Sequence, residues 1–265
     1  ANGRGGGIMI SNYNTQMTFS GNSFNKCSSK YGGGLYFDQN VDNTIIQHNN
    51  FTSCSASYSG GGMYFHGNDK VIIHNNSFLH CFAYQSGCAI AIDANNTNFN
   101  ITYLIVASCT IDRPGLFKVI IENAGGAIYL GKYNSHVSIA TSHFTNITSY
   151  TYGTIACMMN NGFIQIYENK FEHISLQVLK GMNAGSAIMF KMNNHHLQIF
   201  RNEFVNCTAM FAAALGFDHG NFAALIQHNN FTDCKAINDA GILVNEHNHD
   251  MKFISNVFFN FTANT

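Results

Sequence analysis

The sequence predicts an all-β fold, a right-handed parallel β-helix of about nine coils. Three observations carry this: a repeat of 27 residues, period-two apolar alternation inside each repeat, and small residues at one recurring corner. Gly32-Gly33-Gly34-Leu35-Tyr36-Phe37 leads through a polar bend to Ile45-Ile46-Gln47-His48-Asn49-Asn50-Phe51, and the same order returns from Gly60 to Phe78.

The period is set by Phe24, Phe51 and Phe78, by Phe144 and Phe171, and by Phe204, Phe231 and Phe258, each 27 residues after the one before within its run. With Val106 they anchor nine units. An aliphatic residue sits 16 places before nearly every anchor, at Ile8, Leu35, Ile90, Ile128, Ile155, Ile188, Leu215 and Ile242, with Met63 one place closer. Two places on, Ile10, Phe37, Phe65, Ile92, Leu130, Cys157, Phe190, Phe217 and Val244 complete the alternation of a strand with one buried face. A third column lies five places before the anchor, from Phe19 and Ile46 to Ile226 and Phe253. Each unit therefore reads as three short strands, the third near the Phe. Strands of successive coils would pair at ~4.8 Å, making a rod roughly 43 Å long. A propeller blade takes about 40–50 residues, so the period is too short for that fold.

The small residues have a steric cause. Gly5-Gly6-Gly7, Gly32-Gly33-Gly34, Gly60-Gly61-Gly62 and Gly125-Gly126-Ala127 would stack at a corner that needs positive φ or leaves no room for Cβ. No Lys-Ser/Thr follows these glycines, which argues against a phosphate-cradling loop. Asn22, Asn49, Asn76, Asn169, Asn202, Asn229 and Asn256 recur two places before the anchor, with Leu104 and Ser142 in the remaining coils. They read as a ladder of stacked amides that also supplies left-handed bend residues. Three places after the anchor stand Cys27, Cys54, Cys81, Cys109, Cys207 and Cys234, replaced elsewhere by Ile147, Ile174 and Phe261. Replacement by Ile and Phe marks a buried column, either packed thiols or disulfides between neighbouring coils.

One continuous core implies a single domain over residues 1–265. Loop insertions are expected near 107–123, around Asp112-Arg113-Pro114-Gly115, and near 177–184. Charged residues are 10% of the chain, against about 25% in ordinary soluble proteins. A net charge of −1 gives no basis for binding nucleic acid or an anionic membrane. No apolar run approaches the ~20 residues that cross a bilayer, so no membrane insertion is expected.

Catalysis is not expected. Acidic-polysaccharide cleavage needs clustered carboxylates with Arg or Lys facing the substrate. The outward place after the second apolar column holds Asp38, Asp93 and Asp218 but spaces its carboxylates about two coils apart, and the only Arg residues are Arg4, Arg113 and Arg201. The histidine clusters His195-His196 and His247-Asn248-His249 fall in polar stretches with no third ligand at metal-site spacing. They read as solvated bend residues, with no metal and no cofactor.

Eight Asn-x-Ser/Thr sequons are present, at Asn50, Asn75, Asn95, Asn100, Asn146, Asn206, Asn230 and Asn260. Asn146, Asn206 and Asn260 share one repeat position; Asn50 and Asn230 share another, predicted to face outward. N-glycans along such rows would solvate a rod with few charges and imply a secretory, extracellular route. The combination of Gly125-Gly126-Ala127-Ile128 with Phe-x-x-Cys-x-Ala at Phe51–Ala56, Phe78–Ala83, Phe204–Ala209 and Phe231–Ala236 resembles the repeats of polymorphic outer-membrane-protein-like adhesins. That resemblance implies a surface-exposed β-helix used in adhesion. The chain opens at a glycine corner and closes just past Phe258-Phe259-Asn260-Phe261, with no polar cap at either end. Together these features predict a non-catalytic extracellular structural glycoprotein that stacks head to tail into a fibre, with a surface adhesin or carbohydrate-binding β-helix as the alternative and a polysaccharide lyase or hydrolase as the remoter one.

Overall fold

A computed structural model describes residues 3–111, 125–149, 152–176, 187–238 and 241–263. Four parallel sheets of nine strands each wind around one axis, and every strand pairs with the equivalent strand one coil away. No helix occurs among the described residues. The fold is a parallel β-solenoid.

The apolar columns stack in register. In the first sheet Leu35 pairs with Met63 and Phe37 with Phe65, and the same two columns continue to Ile242 and Val244. The second sheet carries the column from Phe19 through Ile46 and Ile73 to Phe253. The third aligns the anchors, with Phe24 on Phe51, Phe78 on Val106, and Phe231 on Phe258. Anchor rings stack face to face: Phe51 and Phe78 are 4.8 Å apart at 10°, and Phe171 and Phe204 are 4.9 Å apart at 6°. One strand spacing sets that distance, so each ring meets the next at van der Waals contact.

The prediction of three strands per coil is corrected to four. The additional sheet is built from pieces such as Phe82–Ala83, Thr208–Ala209 and Lys235–Ala236, only two residues long in most coils. Its inward residue is small in most coils, as at Ala56, Ala83 and Ala236, two places after the Cys; Ile111 and Leu176 take that place in two coils. A two-residue strand leaves almost no periodicity to read; its signal was the Cys-x-Ala spacing.

The corners have a common construction. The residue just before each ladder Asn is left-handed: His48 has φ 55°, Asn75 50° and His228 54°. The left-handed residue is thus the neighbour of the ladder Asn, not the Asn itself. A left-handed L-residue costs about 1–2 kcal/mol, and the amide bonds of the following Asn offset that strain. At the fourth corner Gly32 is left-handed with φ 62°, and a Cβ on Gly34 would sit 2.6 Å from the Phe51 ring.

The register survives extra residues. Asn68 and Asn96 bond at a separation of 28 residues, Asn96 and Asn134 at 38, and Asn161 and Asn194 at 33. The expected insertion near 177–184 lies outside the described residues, and so does the part of the 107–123 insertion after residue 111.

Because Phe171 is fully buried between two stacked rings, Phe171→Ala should cost about 3–5 kcal/mol, a typical loss for a buried Phe. Phe258 is 53% exposed, so Phe258→Ala should cost far less. Urea unfolding followed by circular dichroism checks the pair; equal losses would contradict the stacking.

Candidate functional site

The Asn column is a hydrogen-bonded ladder inside the solenoid wall. Asn49 donates from its backbone N–H and from Nδ2 to Asn76 Oδ1, both at 3.0 Å, and Asn202 makes the same pair of bonds to Asn229. The second Nδ2 hydrogen reaches a carbonyl of the second sheet, from Asn76 to Ile46 at 2.8 Å. Each amide is thereby satisfied although buried. At the irregular coil the Leu104 N–H donates to Ser142 Oγ at 3.0 Å, and the Ser142 N–H donates to Asn169 Oδ1 at 3.0 Å, which carries the chain of bonds across.

A second ladder went unread in the sequence. Asn68, Asn96, Asn134, Asn161, Asn194, Asn221 and Asn248 form the same bonds eight residues before the first ladder's position. The fixed offset of eight was its signal, lost among the many Asn of the bends.

The cysteine column faces inward, and all eight cysteines are free thiols. Cys54 Sγ donates to the Phe24 carbonyl at 3.3 Å and Cys81 Sγ to the Phe51 carbonyl at 3.5 Å, so the column threads along the backbone. Burial pushes the Cys109 and Cys157 thiols well above their usual range, and it does the same at Cys207. Such thiols are poor nucleophiles. Cys27, on the first coil, is only half-buried.

All eight sequon asparagines are exposed. Asn50 and Asn230 sit in third-sheet strands beside inward Phe51 and Phe231, with their side chains outside. The Asn260 amide is engaged with the Asp233 carboxylate.

The outward face of the first sheet carries a second apolar cluster outside the solenoid. Tyr36, Tyr64, Tyr129, Tyr152, Met158 and Met189 are buried there. Its signal was the Tyr lying between the two inward columns, as in Leu35-Tyr36-Phe37 and Met63-Tyr64-Phe65. Beside it runs the row of carboxylates. Asp38 meets Arg4 at 3.3 Å. Asp93 accepts from the Tyr64 hydroxyl at 2.7 Å and faces His66 Nδ1 at 3.3 Å. Asp218 pairs with Lys191 and accepts from the Asn245 amide at 3.1 Å. Burial, then Asp38, pushes the Tyr36 hydroxyl up to about 12. Burial would raise the Asp93 carboxyl, but the hydrogen bonds from His66 and Tyr64 outweigh it and hold it below its ordinary value. The bond to Asp93 in turn raises His66, against the opposing effect of burial. Each carboxylate is thus engaged across one coil, which suits tying coils together better than activating a water molecule.

The histidine reading is corrected at three places. His195 and His249 open second-sheet strands rather than lying in bends. Their rings stack on either side of Phe222, both at 5.2 Å, in an outward aromatic ladder. His196 stacks on Phe163 at 4.6 Å. His247 does occupy a turn, but the winding brings it beside His219 and Glu246, so a third potential ligand is present after all.

The two ends of the described solenoid differ. On the first coil the inward residues Ile10, Phe19 and Phe24 are buried. On the last described coil the inward Phe253 and Phe258 are 46% and 53% exposed, while Val257 and Phe259 lie in outward columns in register with Asn230 and Thr232. Asn256 accepts from Asn229 and donates Nδ2 to the Ile226 carbonyl, but no later rung follows it among the described residues. Asn22 is the first rung and donates to Asn49.

The His66–Asp93 contact has a signed pH dependence. His66 is raised by its partner, so its stabilisation is complete below the ordinary histidine value and is lost as pH rises through the folded one. In Asp93→Asn the His66 titration should shift down toward the ordinary value of about 6.5, as read by the ring proton shifts in NMR. An unmoved midpoint would show that Asp93 does not set it.

No family model and no curated protein sequence matches the chain. Among solved structures, PfbA, a surface adhesin of Streptococcus pneumoniae, is similar at 12% identity with a TM-score of 0.33, over 93% of this chain and 85% of that one.

Proposed function

We propose that the chain is a non-catalytic extracellular structural solenoid that extends end to end with further copies of itself. The observation that carries this is the common register: every coil pairs with the next through the same columns, so one coil presents a surface that any other can join. The last described coil leaves the inward residues Phe253 and Phe258 exposed, on strands whose described pairing runs along one edge. An edge of this kind is a template for another strand. The first coil of a second copy supplies matching columns. Ile8, exposed on the first described coil, would continue the column beyond Ile242, and the exposed Asn22 would offer its Oδ1 to the Asn256 N–H as the next rung. Because the strands are parallel, such a contact is head to tail and does not close on itself.

Two further features support a structural role outside the cell. The carboxylates of the outer face are engaged by Arg4, Tyr64, His66 and Lys191. The exposed sequon asparagines leave room for N-glycans, which would keep a rod of low charge in solution.

Electron microscopy of the purified protein should show filaments with a repeat of about 43 Å per copy, nine coils at the strand spacing. Phe258→Lys should disperse them while the circular dichroism spectrum is unchanged, because the side chain lies at the open end. Particles that stay monomeric at every concentration would overturn the assembly. In material from a secretory host, peptide N-glycosidase should lower the intact mass; no change in mass would remove the glycan rows but not the filament.

A further inference from the structure

We infer that His219, Glu246 and His247 form a binding site for a divalent transition metal of the zinc class. One nitrogen of each imidazole and one carboxylate oxygen lie within 4.8 Å of one another. The residues come from two successive coils. His219 ends the strand Leu215–His219, and Glu246 and His247 form the turn after Ile242–Val244.

The backbone that presents them is fixed. The His219 carbonyl accepts from the Asn193 N–H at 3.0 Å, and the Glu246 carbonyl accepts from the Gly220 N–H at 3.2 Å. The next residues are rungs of the second ladder, with the Asn221 N–H 2.8 Å from Asn248 Oδ1. His247 is left-handed at φ 59°, which turns it back toward His219, and the two rings meet edge to face at 4.8 Å. Ligands about 2.1 Å from a tetrahedral ion stand roughly 3.4 Å apart. Reaching that spacing takes only side-chain rotation, because Glu246 and His247 are exposed.

The donor set selects the metal. Two imidazoles with one carboxylate suit zinc, cobalt or nickel and not the oxygen-seeking calcium or magnesium. Three protein ligands leave a fourth position for water. Beside them opens a pocket of about 270 Å³ lined by Asp218 and Asn245. The Asp218 carboxylate is already held by Lys191 and Asn245. The arrangement belongs to this place in the solenoid, because the residues in register with His219 on earlier coils are Met192, Met159, Lys132 and Ala94. A bound ion would staple the last coil, with its exposed core, to the one before it, and would stabilise the fold by mass action.

The test uses the full chain stripped of metal by a chelator. Titration with Zn²⁺ in a calorimeter should show one ion per chain and a raised melting temperature. Co²⁺ should give visible absorption bands of four-coordinate intensity. His219→Ala and His247→Ala should each abolish the one-to-one binding, and Glu246→Gln should weaken it by at least about tenfold. His195→Ala and His249→Ala, which alter histidines outside the cluster, should leave it intact. Absence of one-to-one binding, or binding that persists in both His219→Ala and His247→Ala, would overturn the site. None of these readouts depends on filament formation, and Phe258→Lys protein serves equally well.

Discussion

Each coil satisfies its backbone only by pairing with the coil before and the coil after, and that requirement governs everything else in the molecule. Parallel pairing at one strand spacing places equivalent residues directly over one another. Inward side chains therefore meet their own kind, Phe on Phe and Ile on Ile, so one residue type is solved for its environment and then reused. Where Val106 takes the place of Phe, the sheet still pairs through it on both sides.

The same constraint explains how a chain with 10% charged residues manages its polar groups. A turn between strands leaves N–H groups that the sheets cannot reach. The two Asn ladders take up those groups in the wall, each amide serving the coil beyond it and a carbonyl of the coil before it. A buried carboxylate could accept such bonds but would bring a charge at every level, and stacked like charges repel. Amides stack without that cost. The few charges sit outside, where Arg4 with Asp38 and Lys191 with Asp218 bridge adjacent coils.

The solenoid, its period and three of its four sheets were legible in the sequence because the columns repeat at fixed intervals with distinctive residues. The fourth sheet was not, because most of its inward residues are small and most of its strands are two residues long. The second Asn ladder was hidden by the abundance of Asn in the bends. The outer Tyr cluster was missed because alternation was read as buried against exposed, whereas Tyr36 and Tyr64 are buried on the outward side as well. His219, Glu246 and His247 escaped for a different reason. Ligand motifs are sought within a few residues, but a solenoid makes neighbours of residues one period apart. Adding 27 to a residue number is, in this fold, the equivalent of counting three or four along a helix.

The separations of 38 and 33 residues between successive rungs carry a consequence for the history of the chain. Neither interrupts the stacking, so the solenoid tolerates length change between a fourth-sheet strand and the first-sheet strand that follows it. By the same logic a whole coil could be duplicated or deleted in one recombination event, since the levels on either side would find identical surfaces to rejoin. Lineages carrying this gene would then be expected to differ in the number of coils before they differ in the residues that face the axis.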